Sequence, residues 1–102
     1  MSNEDNYQGW ANRETWAFNL HWSNDQGFYN FVLDQAGHYL AEHPDTSDRG
    51  LGEAVVEFVQ EELPELSPEL WELMRSDVGS FWRVDHEEVG RTVREGLTNE
   101  DY

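Results

Sequence analysis

The chain has 102 residues, of which 22 are acidic and only 6 are lysine or arginine, and its formal net charge at pH 7 is −16. All six of these basic residues are arginine, and cysteine is absent, which excludes disulfides, a thiol nucleophile and cysteine-ligated zinc. The acidity disfavours direct nucleic-acid binding, because it repels phosphate. The first residues lack a signal-like pattern and no apolar stretch approaches about 18 residues, so we expect a cytoplasmic protein that does not span a membrane.

Two helices are predicted in the first half of the chain. Asn12 is a suitable N-cap for the first helix, which should run to about Trp22. A second helix is expected from about Asp25 to His43, because its apolar residues recur at helical spacing and a proline follows.

The middle of the chain predicts a loop and two further helices. Residues 43–50 are typical of a loop, and an apolar stripe then begins at Leu51 and is expected to end at Pro64. Ser67, followed by proline, marks the start of a fourth helix whose apolar spacing continues to Phe81.

The clearest helix start lies near the C-terminus. Phe81 is the last apolar residue of the fourth helix, and a short extended segment is an alternative for residues 81–84. Asp85 is then the N-cap of a last helix, and Glu88 should return a bond to the Asp85 N–H in a capping box. Val84 and Val89 flank this start as a hydrophobic staple.

These elements predict an all-α protein, a single domain over residues 1–102 with about five short helices. Residues 1–8 and 98–102 should be flexible. Only 37% of the chain is hydrophobic, but 14% is aromatic and five residues are tryptophan, so we expect an aromatic core.

Two motifs carry a family resemblance. Residues 7–25 fit YxGWxNRETWxxxLxWSND, and residues 76–90 read SDVGSFWRVDHEEVG. Both resemble a group of small, uncharacterised proteins encoded by phages, plasmids and prokaryotic genomes. The resemblance implies membership of that group and carries over no activity, cofactor or partner.

The first motif has two interpretations. In the structural one, Trp10 and Trp16 fix the N-terminal segment to the bundle and Gly9 permits the turn before the cap. In the functional one, Tyr7, Trp10 and Arg13 form an exposed recognition patch, because these residue types are enriched at binding hot spots.

The second candidate site is a run of glutamates without any basic residue among them. A solvated helix face explains such a run, and so does a surface that contacts a basic partner. One helix with a carboxylate about every 6 Å is sparser than duplex DNA, which carries a charge per ~1.7 Å. The candidate partner-binding carboxylates are Glu53, Glu57, Glu61, Glu65, Glu69 and Glu72.

Catalysis and metal binding find little support in the sequence. His38 and Glu42 are spaced to share a helix face, but two ligands do not make a zinc site. No phosphate-binding glycine loop or nucleophile motif occurs, so we expect no enzyme activity, no metal and no cofactor.

Two functions remain as hypotheses. The first is a non-enzymatic intracellular protein that binds a basic protein surface, for example as a DNA-mimic inhibitor of a host nucleic-acid-binding or defence protein. The alternative is a small salt-adapted accessory domain, in which acidity serves solubility in high salt. The absence of lysine favours the alternative, and the mobile-element character of the resemblance favours the first.

Overall fold

The computed structural model describes residues 9–99 and contains five α-helices in that range. They are α1 (Arg13–Asn24), α2 (Gln26–Glu42), α3 (Asp48–Leu66), α4 (Pro68–Val78) and α5 (His86–Asn99), with a 3₁₀ turn at Phe81–Arg83. No strand occurs between residues 9 and 99, and the helices pack as one globule, which confirms the all-α class.

Side-chain caps start the helices where the sequence indicates. The Asn12 Oδ1 atom accepts a bond from the Thr15 N–H at 2.8 Å, and the Asp25 Oδ1 atom accepts one from the Phe28 N–H at 2.9 Å. The Ser67 hydroxyl caps α4 in the same way. Each cap satisfies one of the N–H groups that a helix start leaves without a partner.

The predicted bounds of α3 were wrong at both ends. The helix begins at Asp48, three residues before Leu51, because the Ser47 hydroxyl accepts a bond from the Gly50 N–H at 3.0 Å. It also continues through Pro64 to Leu66. The proline removes one bond to the Gln60 carbonyl, but Gln60 is exposed, so water can replace the lost donor.

The predicted continuation of α4 to Phe81 was wrong, and so was the extended alternative for residues 81–84. The helix ends at Val78 because Gly79 adopts φ +79° and ψ −77°, and the Ser80 N–H then donates to the Val78 carbonyl at 2.9 Å. This is a γ-turn with positive φ, a conformation that strongly favours glycine. Phe81 therefore starts a separate 3₁₀ turn.

Helices α3 and α5 form the closest contact in the bundle, and two glycines make it possible. A methyl group on Gly52 would overlap the His86 carbonyl oxygen and stand 3.0 Å from the Gly90 nitrogen. A methyl group on Gly90 would likewise overlap the Asp48 carbonyl oxygen. The two backbones touch directly, so neither position accepts a side chain.

The core combines an aromatic cluster with a row of valines. Phe18 meets Phe81 edge-on at 6.2 Å between ring centroids, and Trp71 stacks on Phe81 at 5.5 Å. Trp22 is almost fully buried and stacks on Tyr29. Aliphatic side chains fill the space around α3 and α5: Leu51, Val55, Val59, Val89 and Val93.

Helix α5 extends to Asn99, so part of the segment expected to be flexible, residues 98–102, is helical. The other expected flexible segment, residues 1–8, lies outside the described residues, as do residues 100–102. None of the helices seen between residues 9 and 99 has the length and apolar character needed to cross a bilayer.

Candidate functional site

The two sequence motifs dock onto each other in the folded protein. The Thr15 hydroxyl donates to the Asn12 Oδ1 atom at 2.7 Å and accepts a bond from the Asp85 N–H at 2.8 Å. The Asn12 amide group donates to the Arg83 carbonyl at 2.8 Å. The start of α1 and the start of α5 are therefore held together by polar side chains, with Thr15 fully buried between them.

The predicted capping box at α5 is half wrong. Asp85 does accept a bond from the Glu88 N–H, at 3.2 Å, and so acts as the N-cap. The Glu88 carboxylate does not return a bond to Asp85, because the Asp85 N–H already donates to Thr15. Glu88 instead accepts a bond from the Ala11 N–H at 2.8 Å, across 77 residues of sequence. The flanking valines, Val84 and Val89, are both buried as the staple predicts.

The residues proposed as an N-terminal recognition patch lie at this junction. Trp10 is half-buried beside Trp16 and Leu20, around a cavity of about 120 Å³. Arg13 forms a bidentate contact with Asp77, at 2.7 Å to its carbonyl and 3.0 Å to its carboxylate. Tyr7 lies outside the described residues. Trp10 and Arg13 thus both contact other parts of the chain.

Asp77 is the most strongly perturbed acid of this junction. The hydrogen bond to the His21 imidazole, at 2.9 Å, is the main cause that lowers the pKa of Asp77, and the charges of His21 and Arg13 lower it further against the opposing effect of desolvation. The carboxylate therefore links α4 to two side chains of α1.

The predicted acidic residues are all exposed on α3 and α4, which pack against each other. Glu53 forms an ion pair with Arg49 at 3.4 Å, and Glu72 pairs with Arg75. The others make no hydrogen bond or ion pair with any residue of the described chain. Glu62 of α3, which was not in the predicted set, is also exposed and makes no such contact. Together these five glutamates form what we call the acidic surface: Glu57, Glu61, Glu62, Glu65 and Glu69.

The arginines do not compensate the acidic surface, because each already has a carboxylate partner. The six pairs are Arg13–Asp77, Arg49–Glu53, Arg75–Glu72, Arg83–Glu14, Arg91–Glu88 and Arg94–Asp48. Five of these pairs involve α1, α5 or the first turns of α3, so positive charge gathers away from the C-terminal half of α3. The acidic surface stays negative as a consequence.

A feature that the sequence did not single out lies next to α3. The Trp82 side chain is 80% exposed, the highest value among the large hydrophobic residues between positions 9 and 99. It borders a groove of about 470 Å³ between α3 and the 3₁₀ turn. One signal was present in the sequence, because Trp82 falls outside the spacing of Met74, Val78 and Phe81.

A family assignment follows from comparison with known proteins. A family described as "Family of unknown function (DUF7249)" matches residues 3–96, a span that includes both docked motifs. The chain belongs to this family. No curated protein and no solved structure matched it significantly. The DUF7249 assignment is consistent with the expected membership of an uncharacterised group, and the phage or plasmid origin stays a prediction.

The histidines of this DUF7249 protein lie apart from one another. His38 is 3.7 Å from the Asp34 carboxylate and His86 is 3.9 Å from that of Glu53, while His43 stacks on Tyr39. Between residues 9 and 99 no three metal-ligating side chains come together. The His38 and Glu42 spacing is therefore not completed by a third ligand from the described chain.

Proposed function

We propose that this protein acts by binding a basic surface of another protein, in competition with nucleic acid, and that it is not an enzyme. The observation that supports the proposal most is the acidic surface, where five exposed carboxylates lie within 13 residues of chain and none has a partner among residues 9–99. Carboxylates left unpaired in this way repel one another, and a cationic partner relieves that repulsion on binding.

The charge density favours mimicry of one DNA strand over mimicry of the duplex. From Glu57 to Glu65 the helix rises about 12 Å, at 1.5 Å per residue, and carries four glutamates that have no described partner. One strand of B-DNA carries about four phosphates over that length, at ~3.4 Å each, while the duplex carries about seven. A protein that grips one strand is the partner that such spacing suits.

The test uses a panel of purified prokaryotic DNA-binding proteins and defence nucleases, each bound to a fluorescent DNA duplex. Displacement of the duplex is measured by anisotropy at 0.15 M salt. The surface variant removes four charges that have no described contact to break: Glu57→Gln, Glu61→Gln, Glu65→Gln and Glu69→Gln. A control variant removes four charges from α2, the loop after it and α5: Asp34→Asn, Glu42→Gln, Asp45→Asn and Glu95→Gln.

The two variants have the same net charge, so they separate a local contact from a general charge effect. Each exposed ion pair contributes about 0.2–1 kcal/mol, so the loss of four pairs should weaken binding by the surface variant roughly fourfold to 700-fold. The control variant should displace DNA nearly as well as the wild type. Failure of the wild type to displace DNA from every panel member at 0.15 M salt would refute the proposal.

A second candidate function, a salt-adapted accessory protein, is favoured by the absence of lysine and by the exposure of the carboxylates. In that case acidity acts through the whole surface. Both variants should then raise the thermal midpoint equally at 0.1 M salt, and neither should differ from the wild type in DNA displacement. A difference between the variants in DNA displacement, with equal stability, supports the first function.

A further inference from the structure

The groove beside Trp82 carries the most exposed large hydrophobic side chain between residues 9 and 99. Indole rings bury a large apolar area in most folded proteins, so a ring with 80% of its surface in water is unusual. The ring belongs to the 3₁₀ turn that follows the γ-turn at Gly79. Tryptophan is also the residue type most enriched at binding hot spots.

Two segments of the chain and one histidine line the groove. The segments are Val56 and Gln60 of α3 and the turn from Gly79 to Trp82. His86 at the start of α5 also lines it. A groove of about 470 Å³ falls within the range of volumes that hold a side chain or small ligand.

Negative charge flanks the groove on the α3 side. Glu53 lies three positions before Val56, and Glu57 lies three positions before Gln60, so each carboxylate neighbours a groove residue on the helix surface. Glu53 contacts His86 at 3.9 Å, which places its carboxylate beside the groove. The nearby Arg83 is already engaged, with its guanidinium 5.7 Å from the Trp82 ring centroid and 3.4 Å from Glu14.

We propose that this groove binds a basic peptide segment of the partner protein, with an arginine or lysine stacked on Trp82 and an adjacent apolar side chain against Val56. The inference rests on the proposed function, which it deepens by naming the contact. Charge complementarity selects this occupant, because a cation is attracted to Glu57, which has no partner among residues 9–99, and to the face of the exposed indole opposite the one that Arg83 covers. A second copy of this chain is disfavoured, since it brings a charge of −16 toward the same acidic rim.

The experiment uses two synthetic peptides of equal charge as probes. One has the sequence Arg-Leu-Arg-Arg-Leu-Arg, and the other replaces both leucines by glycine. Binding to the ¹⁵N-labelled protein is followed by NMR at 0.15 M salt, which gives both affinity and location. The variant is Trp82→Ala, and the matched control is Leu73→Ala, which truncates another exposed apolar side chain, 61% accessible, on α4.

The leucine peptide should bind more tightly than the glycine peptide and shift the signals of Gln60, Ser80 and His86. Trp82→Ala should weaken it by about 5- to 30-fold, the range of a cation–π contact with partial desolvation, while Leu73→Ala leaves it unchanged. Trp82→Ala should also weaken DNA displacement from the panel protein. Because Trp82 is exposed, the variant is expected to fold, and its thermal midpoint checks this.

The inference is overturned if neither peptide binds, if the shifted signals lie elsewhere, or if Trp82→Ala binds like the wild type. The proposed function is judged separately by the four-glutamine surface variant. If that variant loses DNA displacement while Trp82→Ala retains it, the acidic surface contacts the partner and the groove does not. If both lose it, the groove and the acidic surface belong to one interface.

Discussion

The contact between α3 and α5 gives the sharpest prediction about stability. At an unobstructed helical position, Gly→Ala stabilises a protein by about 0.5–1 kcal/mol through helix propensity and chain entropy. At Gly90 the new methyl group overlaps the Asp48 carbonyl oxygen, which is backbone and cannot rotate away. The helices must separate by about 1.5 Å, a gap that forfeits a quarter to a half or more of the dispersion energy of the facing side chains.

Overpacking costs about 1–3 kcal/mol, and an overlap with rigid backbone belongs at the upper end of that range. After subtraction of the propensity gain, we expect Gly90→Ala to be destabilising by about 2 kcal/mol. For a domain of this size that lowers the thermal midpoint by roughly 8–16 °C. Gly52→Ala should behave in the same way, since it meets the His86 carbonyl.

Gly37 in α2 provides the matched control, because a methyl group there meets nothing within 4 Å. Gly37→Ala should raise the midpoint by roughly 2–8 °C. Differential scanning calorimetry of the three variants measures both signs in one experiment. If Gly90→Ala is as stable as Gly37→Ala, the backbones of α3 and α5 are not in direct contact at Gly90.

Three further predictions concern charge and caps. Raising sodium chloride from 0.1 to 1 M should raise the thermal midpoint. Screening weakens the repulsion within a net charge of −16 more than it weakens the six arginine–carboxylate pairs. A midpoint that stays flat or falls would contradict this. Asp85→Ala should lower the thermal midpoint by about 4–8 °C, and Asp85→Ser should recover most of that loss. Glu88→Ala should lower the midpoint by a similar amount, because it leaves the Ala11 N–H without an acceptor. Glu88→Gln keeps an acceptor for this N–H and should lower the midpoint less. Asp77→Asn should be less stable than the wild type above about pH 4. The difference in stability should disappear as the pH falls through the lowered pKa of Asp77, because the wild-type carboxylate then becomes neutral as well. A difference that stays constant with pH would show that the charge of Asp77 does not contribute to stability.

The sequence predicted helix starts better than helix ends. Asn12, Ser67 and Asp85 were identified as starts, and Asp25 as the approximate start of α2, because a cap depends on a local bond between a side chain and an N–H two or three residues ahead. The start of α3 at Ser47 was the exception. The ends of α3 and α4 depended on other factors. Pro64 is tolerated near the last turn, and Gly79 takes a positive φ that a spacing pattern does not record.

The candidate site was predicted in part. Charge spacing along the chain identified the glutamates of α3 and α4, and the structure adds which of them lack a partner. The reciprocal bond expected between Glu88 and Asp85 failed because the competing donor, Ala11, and the competing acceptor, Thr15, lie more than 65 residues away. Trp82 was missed because its exposure results from two turns whose directions no local pattern fixes.

The bond between Ala11 and Glu88 has a consequence for synthesis of the chain. The 77 residues that separate them take about 4–15 s to translate, at ~5–20 residues per second. Throughout that time the first helix lacks its polar anchor, and α3 lacks the helix that covers its glycine face. Folding to the native state therefore waits for the last helix, and a chain shortened before residue 88 is expected to remain open to proteases, with its negative charge keeping the nascent chains apart.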